Sequence, residues 1–162
     1  MPHLQFELNF DLSAAEKRAL ADAVVRRFSE IMDTGTDHVA VTIRTFAHAD
    51  LTFGRASPSG GRTAFVNADI RRGRTREQKR RLSLAYVDEL HRRFGLAPEA
   101  VYLVLTEHDG ENFQLSDRVL PSWTSGENTF AAPKAGAGAR KASRPGRATA
   151  STRPAPRRRA RR

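Results

Sequence analysis

The chain has 162 residues, which suits one domain with a further segment, and it carries 28 Lys and Arg against 18 Asp and Glu. Cysteine is absent, which excludes disulfides and thiolate metal sites. No apolar run approaches the roughly 20 residues of a membrane helix, and the N-terminus lacks the basic-then-apolar pattern of a signal peptide. We therefore expect a soluble cytoplasmic protein with no membrane association.

The excess positive charge is concentrated at the C-terminal end. Residues 131–162 hold eleven Lys and Arg and no acid, whereas residues 1–130 are close to neutral. These last residues consist of Ala, Gly, Pro, Ser, Thr, Lys and Arg, a composition that cannot build a packed core. We expect a folded domain over 1–130 and a disordered basic tail over 131–162, which is either idle in solvent or binds nucleic acid non-specifically.

The first stretch of the chain alternates strictly, with Leu4, Phe6, Leu8 and Phe10 on one face, which predicts a half-buried strand. Pro2 directly precedes it. If Met1 is removed, Pro2 carries a secondary amine, and burial disfavours the charged form of such a group by up to ~3–5 pKa units. It would then transfer protons at neutral pH without metal or cofactor. The alternative is an ordinary strand-initiating proline.

A helix and a strand follow. Ser13 with Glu16 forms the pattern of a capping box, and apolar residues then recur at helical spacing until Thr34-Gly35-Thr36. Residues His38 to Phe46 alternate again and predict the second strand.

The same order then restarts. Thr63 to Ile70 is strand-like, Thr75 with Gln78 forms a second capping box, and Gly95 ends the helix whose apolar face is Leu82, Leu84, Ala85, Val87, Leu90 and Phe94. Ala100 to Leu105 is an apolar fourth strand.

The two halves superpose at a constant offset of 62 residues, so that Ser13 corresponds to Thr75 and Leu20 to Leu82. This indicates a duplicated β-α-β unit, about 2–46 and 63–113. The alternative is an α/β domain that merely alternates strands with helices. We expect an α/β (α+β) fold with a four-stranded sheet and two helices on one face. The apolar strand residues look too numerous for that face alone, which predicts a second apolar face buried in an oligomer.

The stretch Ile70-Arg71-Arg72-Gly73-Arg74-Thr75-Arg76-Glu77-Gln78-Lys79 resembles the strand-to-helix turn of the tautomerase superfamily. Thr106-Glu107-His108 with Phe113, and Pro2 itself, keep the order of that superfamily's elements across residues 2–115. With two units in one chain, the sequence is similar to the longer members, such as cis-3-chloroacrylic acid dehalogenase and macrophage migration inhibitory factor. The resemblance implies a homotrimer with short C-terminal strands that reach a neighbouring subunit.

The resemblance also implies roles for single residues. Pro2 would be the catalytic base, and Arg71 and Arg74 would bind the carboxylate of a small substrate, as guanidinium groups do bidentately. Tyr102 would donate a hydrogen bond to the substrate oxygen, and Phe113 would keep the pocket apolar. The alternatives are a solvated basic helix start for the arginines and core packing for Phe113. Trp123 is expected at an interface or pocket edge, or in the core.

Departures from the superfamily bear on the reaction. The dehalogenase's water-activating His would fall near Phe28, and its C-terminal Glu near Leu115, and both positions are apolar. We therefore expect a cofactor-independent keto–enol tautomerase for a small 2-oxo or enol carboxylate. The alternatives are a dehalogenase-like hydratase and a non-catalytic trimer that binds nucleic acid through its tail. No His/Cys cluster or Gly-rich phosphate loop indicates a metal or nucleotide.

Overall fold

The computed structural model describes residues 2–54, 61–115 and 118–126. Within them lie four strands and two long helices: β1 His3–Leu8, α1 Ala14–Met32, β2 Ala40–Thr45, β3 Ala64–Arg71, α2 Arg76–Phe94 and β4 Val101–His108. Short 3-10 helices occupy His48–Asp50, Pro98–Ala100 and Gly110–Asn112. The predicted tail over 131–162 lies outside the described residues.

The strands form one mixed sheet in the order β2-β1-β3-β4. Each β-α-β unit contributes a parallel pair, β1 with β2 and β3 with β4, and the units join through the antiparallel pair β1–β3. The two central strands are therefore the first strands of the two units. This is the predicted four-stranded sheet.

The duplication is confirmed by the helices. Both have 19 residues, and α2 begins and ends 62 positions after α1. Ser13 and Thr75 cap them with the predicted capping boxes, in which each side chain accepts a hydrogen bond from the backbone N–H three residues later. At the C-termini, Gly95 takes the left-handed conformation as expected, whereas α1 ends on Asp33 in that conformation rather than on Gly35.

One apolar core lies between the helices and one face of the sheet. Leu4, Phe6 and Leu8 of β1 are fully buried in it, together with Val66 and Ile70 of β3. The remaining buried members come from both helices, from β3 and from the loop after α2: Leu20, Val24, Phe28, Met32, Ala64, Ala68, Leu82, Tyr86, Leu90 and Leu96. Both helices therefore cover the same face, as predicted.

The expected second apolar face is present only in part. Val41, Ile43, Val101, Leu103 and Leu105 pack against the helix-side core, partly buried. The opposite face is mixed. The Phe65 and Tyr102 rings stack there with 5.6 Å between their centroids, and Tyr102 is exposed, whereas Asp69 accepts hydrogen bonds from Gln5 (3.2 Å) and Asn67 (3.3 Å) and pairs with His108 (3.3 Å). Burial of this face in an oligomer stays a prediction.

Element boundaries and one helix face also differ from the prediction. β1 ends at Leu8 rather than Phe10, because the buried Asn9 side chain instead bonds Thr63 N–H (2.6 Å) and the carbonyls of Leu51 and Gly61. On α2, Leu84 is exposed and Tyr86 is buried. The phenol can be buried because its hydroxyl donates to the Val24 carbonyl at 3.3 Å.

The region after β4 was expected to form short strands. In the described part, it contains a single β-bridge between Gln114 and Val119. Neither of the two long helices, nor any other described helix, is long and apolar enough to cross a membrane.

Tyr86 joins the two helices at positions that correspond in the duplication, since Val24 lies 62 residues before it. We predict that Tyr86→Phe lowers the free energy of unfolding by about 1 kcal/mol, the usual net value of a buried hydrogen bond. Urea denaturation measures it.

The matched control is Tyr102→Phe, because the Tyr102 side chain is 56% exposed. This change should stay within about 0.5 kcal/mol of wild type. Equal effects of the two substitutions would contradict the role given to the Tyr86 hydroxyl.

Candidate active site

A narrow cavity lies where the first residue of β1 meets the last residues of β3. In the antiparallel register His3 pairs with Asp69, so Pro2 lies beside the end of β3. Four parts of the chain line the cavity: the start of β1, α1 with the loop after it, the turn after β3 and the 118–126 segment. The lining residues are Pro2, Phe28, Thr34, Gly35, His38, Arg71, Arg74 and Leu120. Its volume is about 20 Å³, room for roughly one water molecule.

Pro2 is held in place by the sheet. Its carbonyl accepts a hydrogen bond from Ala40 N–H at 3.0 Å, which extends the parallel β1–β2 ladder by one step beyond His3. Pro2 itself is half-buried. The nitrogen of residue 2 is thereby fixed between the loop that precedes β2 and the turn that follows β3.

Two arginines enter the cavity from that turn. Arg71 ends β3 and is 5% exposed, and Arg74 precedes the α2 N-cap and is 8% exposed. Arg71 Nη1 donates to the Pro121 carbonyl at 2.8 Å, and the Arg74 guanidinium lies 4.2 Å from the centre of the Trp123 ring. The cavity wall therefore carries two buried positive charges beside the N-terminus of α2, an arrangement that favours an anion.

The residues between them face outward. Arg72 is exposed and pairs with Asp109 at 2.7 Å. Gly73 has a φ of +121°, a conformation that glycine adopts without steric cost. A Cβ on Gly73 would lie 2.4 Å from the Trp123 carbonyl oxygen. Glycine is thus needed here both for the turn and for the close approach of another backbone.

That backbone belongs to the 118–126 segment, which covers the turn. Trp123 N–H donates to the Arg72 carbonyl at 3.0 Å, and Leu120 closes one side of the cavity. At the segment's end, Ser125 and Gly126 donate to the Asp33 carboxylate at 2.6 and 2.9 Å. These hydrogen bonds, with a smaller contribution from Arg74, lower the pKa of Asp33. Trp123 is 7% exposed and contacts the Arg74 guanidinium, but it is not among the residues that line the cavity.

His38 lines the same cavity from the loop between α1 and β2. Burial is the main cause that lowers the pKa of His38, and the N-terminal amino group acts in the same direction. Asp37 opposes this and Arg118 adds to it. The imidazole is therefore held towards its neutral form.

Two predicted site residues lie elsewhere in the chain. Tyr102 pairs with Phe65 near the start of β3, at the far end of the strand from Arg71, and its ring stacks on Phe65 at 5.6 Å. Phe113 is half-buried and contacts the His108 ring at 5.8 Å; its carbonyl accepts from Leu120 N–H. The single chain thus brings Pro2, Arg71 and Arg74 together but does not bring Tyr102 to them, while Phe113 supports the segment that covers the cavity.

Comparison with known proteins identifies the fold. Residues 58–116 match the family model described as tautomerase enzyme. The structure of N1, a member of the cis-3-chloroacrylic acid dehalogenase family, is 25% identical with a TM-score of 0.66, over 74% of this chain and 84% of that one. No curated protein has a significantly similar sequence.

Two further solved structures have the same architecture. A fused 4-OT, described as a symmetric trimer, is 24% identical with a TM-score of 0.64 and covers 73% of this chain and 94% of its own. A macrophage migration inhibitory factor-like protein from Entamoeba histolytica is 21% identical with a TM-score of 0.61, over 74% and 98%. The chain has the tautomerase fold. The resemblance expected from the Pro2, turn and Phe113 pattern is confirmed.

Within this tautomerase fold, sequence reasoning missed part of the cavity. His38, Thr34, Gly35 and Leu120 line it without having been proposed. The sequence could have indicated His38, because a residue just before a strand that runs parallel to β1 must lie near the start of β1. Nothing in the sequence indicated Leu120, since its position depends on how the 118–126 segment folds back over the turn after β3. Among the described residues, no group of three or more His, Cys, Asp or Glu could hold a metal ion.

Gly73 offers a direct test of the covering segment. We predict that Gly73→Ala displaces residues 118–126, because the new methyl group would overlap the Trp123 carbonyl. Unfolding should be easier by roughly 1–3 kcal/mol, and the fluorescence of Trp123, the one Trp in the sequence, should change.

Gly95→Ala is the matched control. Gly95 also has a positive φ, +68°, but a Cβ there meets nothing within 4 Å. It should cost about 1 kcal/mol through backbone strain and leave the Trp123 fluorescence unchanged. The same fluorescence change in both variants would refute the contact.

Proposed function

We propose that the chain is a cofactor-independent keto–enol tautomerase that acts on a small 2-oxo or enol carboxylate, with Pro2 as the proton carrier. The observation that carries the proposal is that Pro2 lines one cavity with Arg71 and Arg74, although about 70 residues separate Pro2 from the two arginines in the sequence. The match of residues 58–116 to the tautomerase enzyme model supports it.

The chemistry requires one base that accepts a proton and returns it. After removal of Met1, the secondary amine of Pro2 would take the proton from the carbon next to the carbonyl and deliver it to the other end of the enol system. The neighbouring cations Arg71 and Arg74 disfavour the ammonium form, so the amine is kept available as a base. Their guanidinium groups would hold the substrate carboxylate bidentately.

A substrate needs more space than the closed cavity provides. About 20 Å³ accommodates a water molecule but not a carboxylic acid. Movement of the 118–126 segment would withdraw Leu120 from the cavity and release Arg71 Nη1 from the Pro121 carbonyl. Substrate binding and opening of this segment are therefore coupled in our proposal.

We further propose a homotrimer. The fused 4-OT of the same fold is described as a symmetric trimer, and the sheet face opposite the helices, which carries both hydrogen-bonding side chains and the exposed Tyr102 ring, would then lie at the subunit interface. Tyr102 is 56% exposed and away from its own chain's cavity, so a substrate-binding role for Tyr102 would require a site on a neighbouring copy.

A dehalogenase-like hydratase is the second candidate, favoured by the similarity to N1 of the cis-3-chloroacrylic acid dehalogenase family. Phe28 lies in the cavity at the position where that reaction would need a polar group to activate water. The hydratase is therefore ranked below the tautomerase. Nucleic-acid binding by the tail remains a separate prediction. Truncation after Phe130 tests it, since salt-sensitive DNA binding that survives truncation would exclude the tail as the binder.

The enzymatic proposal is tested with phenylpyruvate and 2-hydroxymuconate as substrates. Pro2→Ala should lower kcat/KM by roughly 10²–10⁴-fold, the usual contribution of positioned proton transfer. Arg74→Lys should raise KM, because Lys lacks the planar fork of donors. The matched control is Arg72→Lys, since Arg72 is exposed and paired with Asp109.

A chemical label provides a check that does not depend on the substrate. One solved structure with this fold is that of Pt0534 inactivated by 2-oxo-3-pentynoate. Mass spectrometry of the treated protein should locate one adduct on Pro2, and protein that retains Met1 should not react there. Full turnover by Pro2→Ala, with no adduct on wild-type Pro2, would contradict the proposed function.

A further inference from the structure

We propose that His38 is the catalytic residue that stabilises the enolate oxygen of a 2-oxo acid, by donating a hydrogen bond from its neutral imidazole. The proposal rests on the proposed function, in which Pro2 is the base and Arg71 and Arg74 bind the substrate carboxylate as a carboxylate clamp. His38 would take the role for which the resemblance suggested Tyr102.

The backbone fixes His38 next to Pro2. The parallel β1–β2 pair aligns His3 with Ala40, and Ala40 N–H donates to the Pro2 carbonyl at 3.0 Å. The turn before β2 is closed by Val39 N–H, which donates to the Thr36 carbonyl at 3.2 Å. His38 is half-buried between these two hydrogen bonds and forms part of the cavity wall.

The cavity then presents three different groups to one small ligand. Arg71 and Arg74 stand on the β3–α2 turn, Pro2 at the start of β1, and His38 on the α1–β2 loop. A 2-oxo acid has three matching parts: a carboxylate, a carbonyl oxygen and an acidic C–H. With the carboxylate on the arginines and the C–H at Pro2, the carbonyl oxygen is left for His38.

Charged groups surround His38 from several elements. Arg118 disfavours its protonation, as does the amino group of Met1, which is lost when Met1 is removed, whereas Asp37 on its own loop favours it, and Arg71 and Arg74 line the same cavity. Burial is the largest influence and lowers the pKa of His38. A neutral imidazole keeps one N–H donor and avoids a third positive charge beside the amine.

The reaction step balances without a further reactant. The C–H bond next to the carbonyl breaks and its proton goes to the Pro2 nitrogen. Its electron pair forms the carbon–carbon double bond, and the carbonyl π electrons move to oxygen. The His38 N–H hydrogen bond stabilises the charge on that oxygen, which takes its proton back from the Pro2 ammonium to give the enol.

Kinetics separate this role from substrate binding. We predict that His38→Ala lowers kcat by roughly 10²–10³-fold, the effect of removing one oxyanion donor, with a much smaller change in KM. His38→Gln should restore part of kcat, since its amide can donate. His48→Gln is the control, because His48 is exposed and bonds Asn9 away from the cavity.

Ligand binding gives a test that requires no turnover. Oxalate resembles the enolate of a 2-oxo acid, with a second anionic oxygen where the carbonyl would be, whereas acetate offers the arginine clamp a carboxylate alone. In NMR titrations, His38→Ala should weaken oxalate binding at least tenfold, the loss of one charge-assisted hydrogen bond, and leave acetate binding unchanged. Arg74→Lys should weaken both.

The outcomes distinguish the two proposals. If Arg74→Lys weakens both anions but His38→Ala leaves the preference for oxalate intact, the assignment of His38 is overturned and the proposed function stands. If neither anion responds to Arg74→Lys, the carboxylate clamp fails and the proposed function with it. A circular dichroism spectrum equal to that of wild type confirms that each variant is folded.

Discussion

The pairing of β1 with both of its neighbours is the constraint on which the site depends. β1 is central in the sheet, parallel to β2 and antiparallel to β3. Its first residue therefore lies where the loop before β2 and the turn after β3 converge, and this brings His38, Pro2 and the arginines to one cavity. The duplication repeats the scaffold but not the site, because the residue 62 positions after Pro2 is Ala64, which is internal to the chain and has no free amine.

The charged side chains of this cavity determine its chemical character. Arg71 and Arg74 are almost fully buried, at a cost that hydrogen bonds and the Trp123 ring offset in part. The same positive charges attract a carboxylate and, in our proposal, keep the Pro2 amine uncharged, whereas burial is the main cause that lowers the pKa of His38. The 118–126 segment covers this region and leaves room for roughly one water molecule, and the reduced contact with solvent strengthens each of these interactions. In our proposal, the contacts of Leu120 and Pro121 that stabilise the closed cavity are therefore the ones that must break before a substrate can enter.

Much of this arrangement could be predicted from the sequence, because local rules and the long-range fold agree. The capping boxes at Ser13 and Thr75 fixed the two helix starts, and the 62-residue offset fixed the order of elements. The errors have physical causes. The Asn9 side chain bonds loop backbone just after the end of β1, Tyr86 can be buried because its hydroxyl has a hydrogen-bond partner, and alternate residues of the edge strands, such as Ile43 and Leu103, pack on the helix side. His38 required the register of β2 against β1, and Leu120 required the return path of a segment with almost no regular structure.

The state of the Pro2 nitrogen tests the account most directly. In protein labelled with [15N]proline and freed of Met1, the 15N resonance of Pro2 can be followed by NMR as a function of pH. The account predicts that the amine is largely uncharged at neutral pH, with a titration midpoint below neutral pH and thus below the roughly 7.7–8.0 of an ordinary α-amino group. It also predicts that Arg74→Gln raises that midpoint, because a neighbouring positive charge is removed. A Pro2 amine that stays protonated well above neutral pH, with no response to Arg74→Gln, would contradict the account.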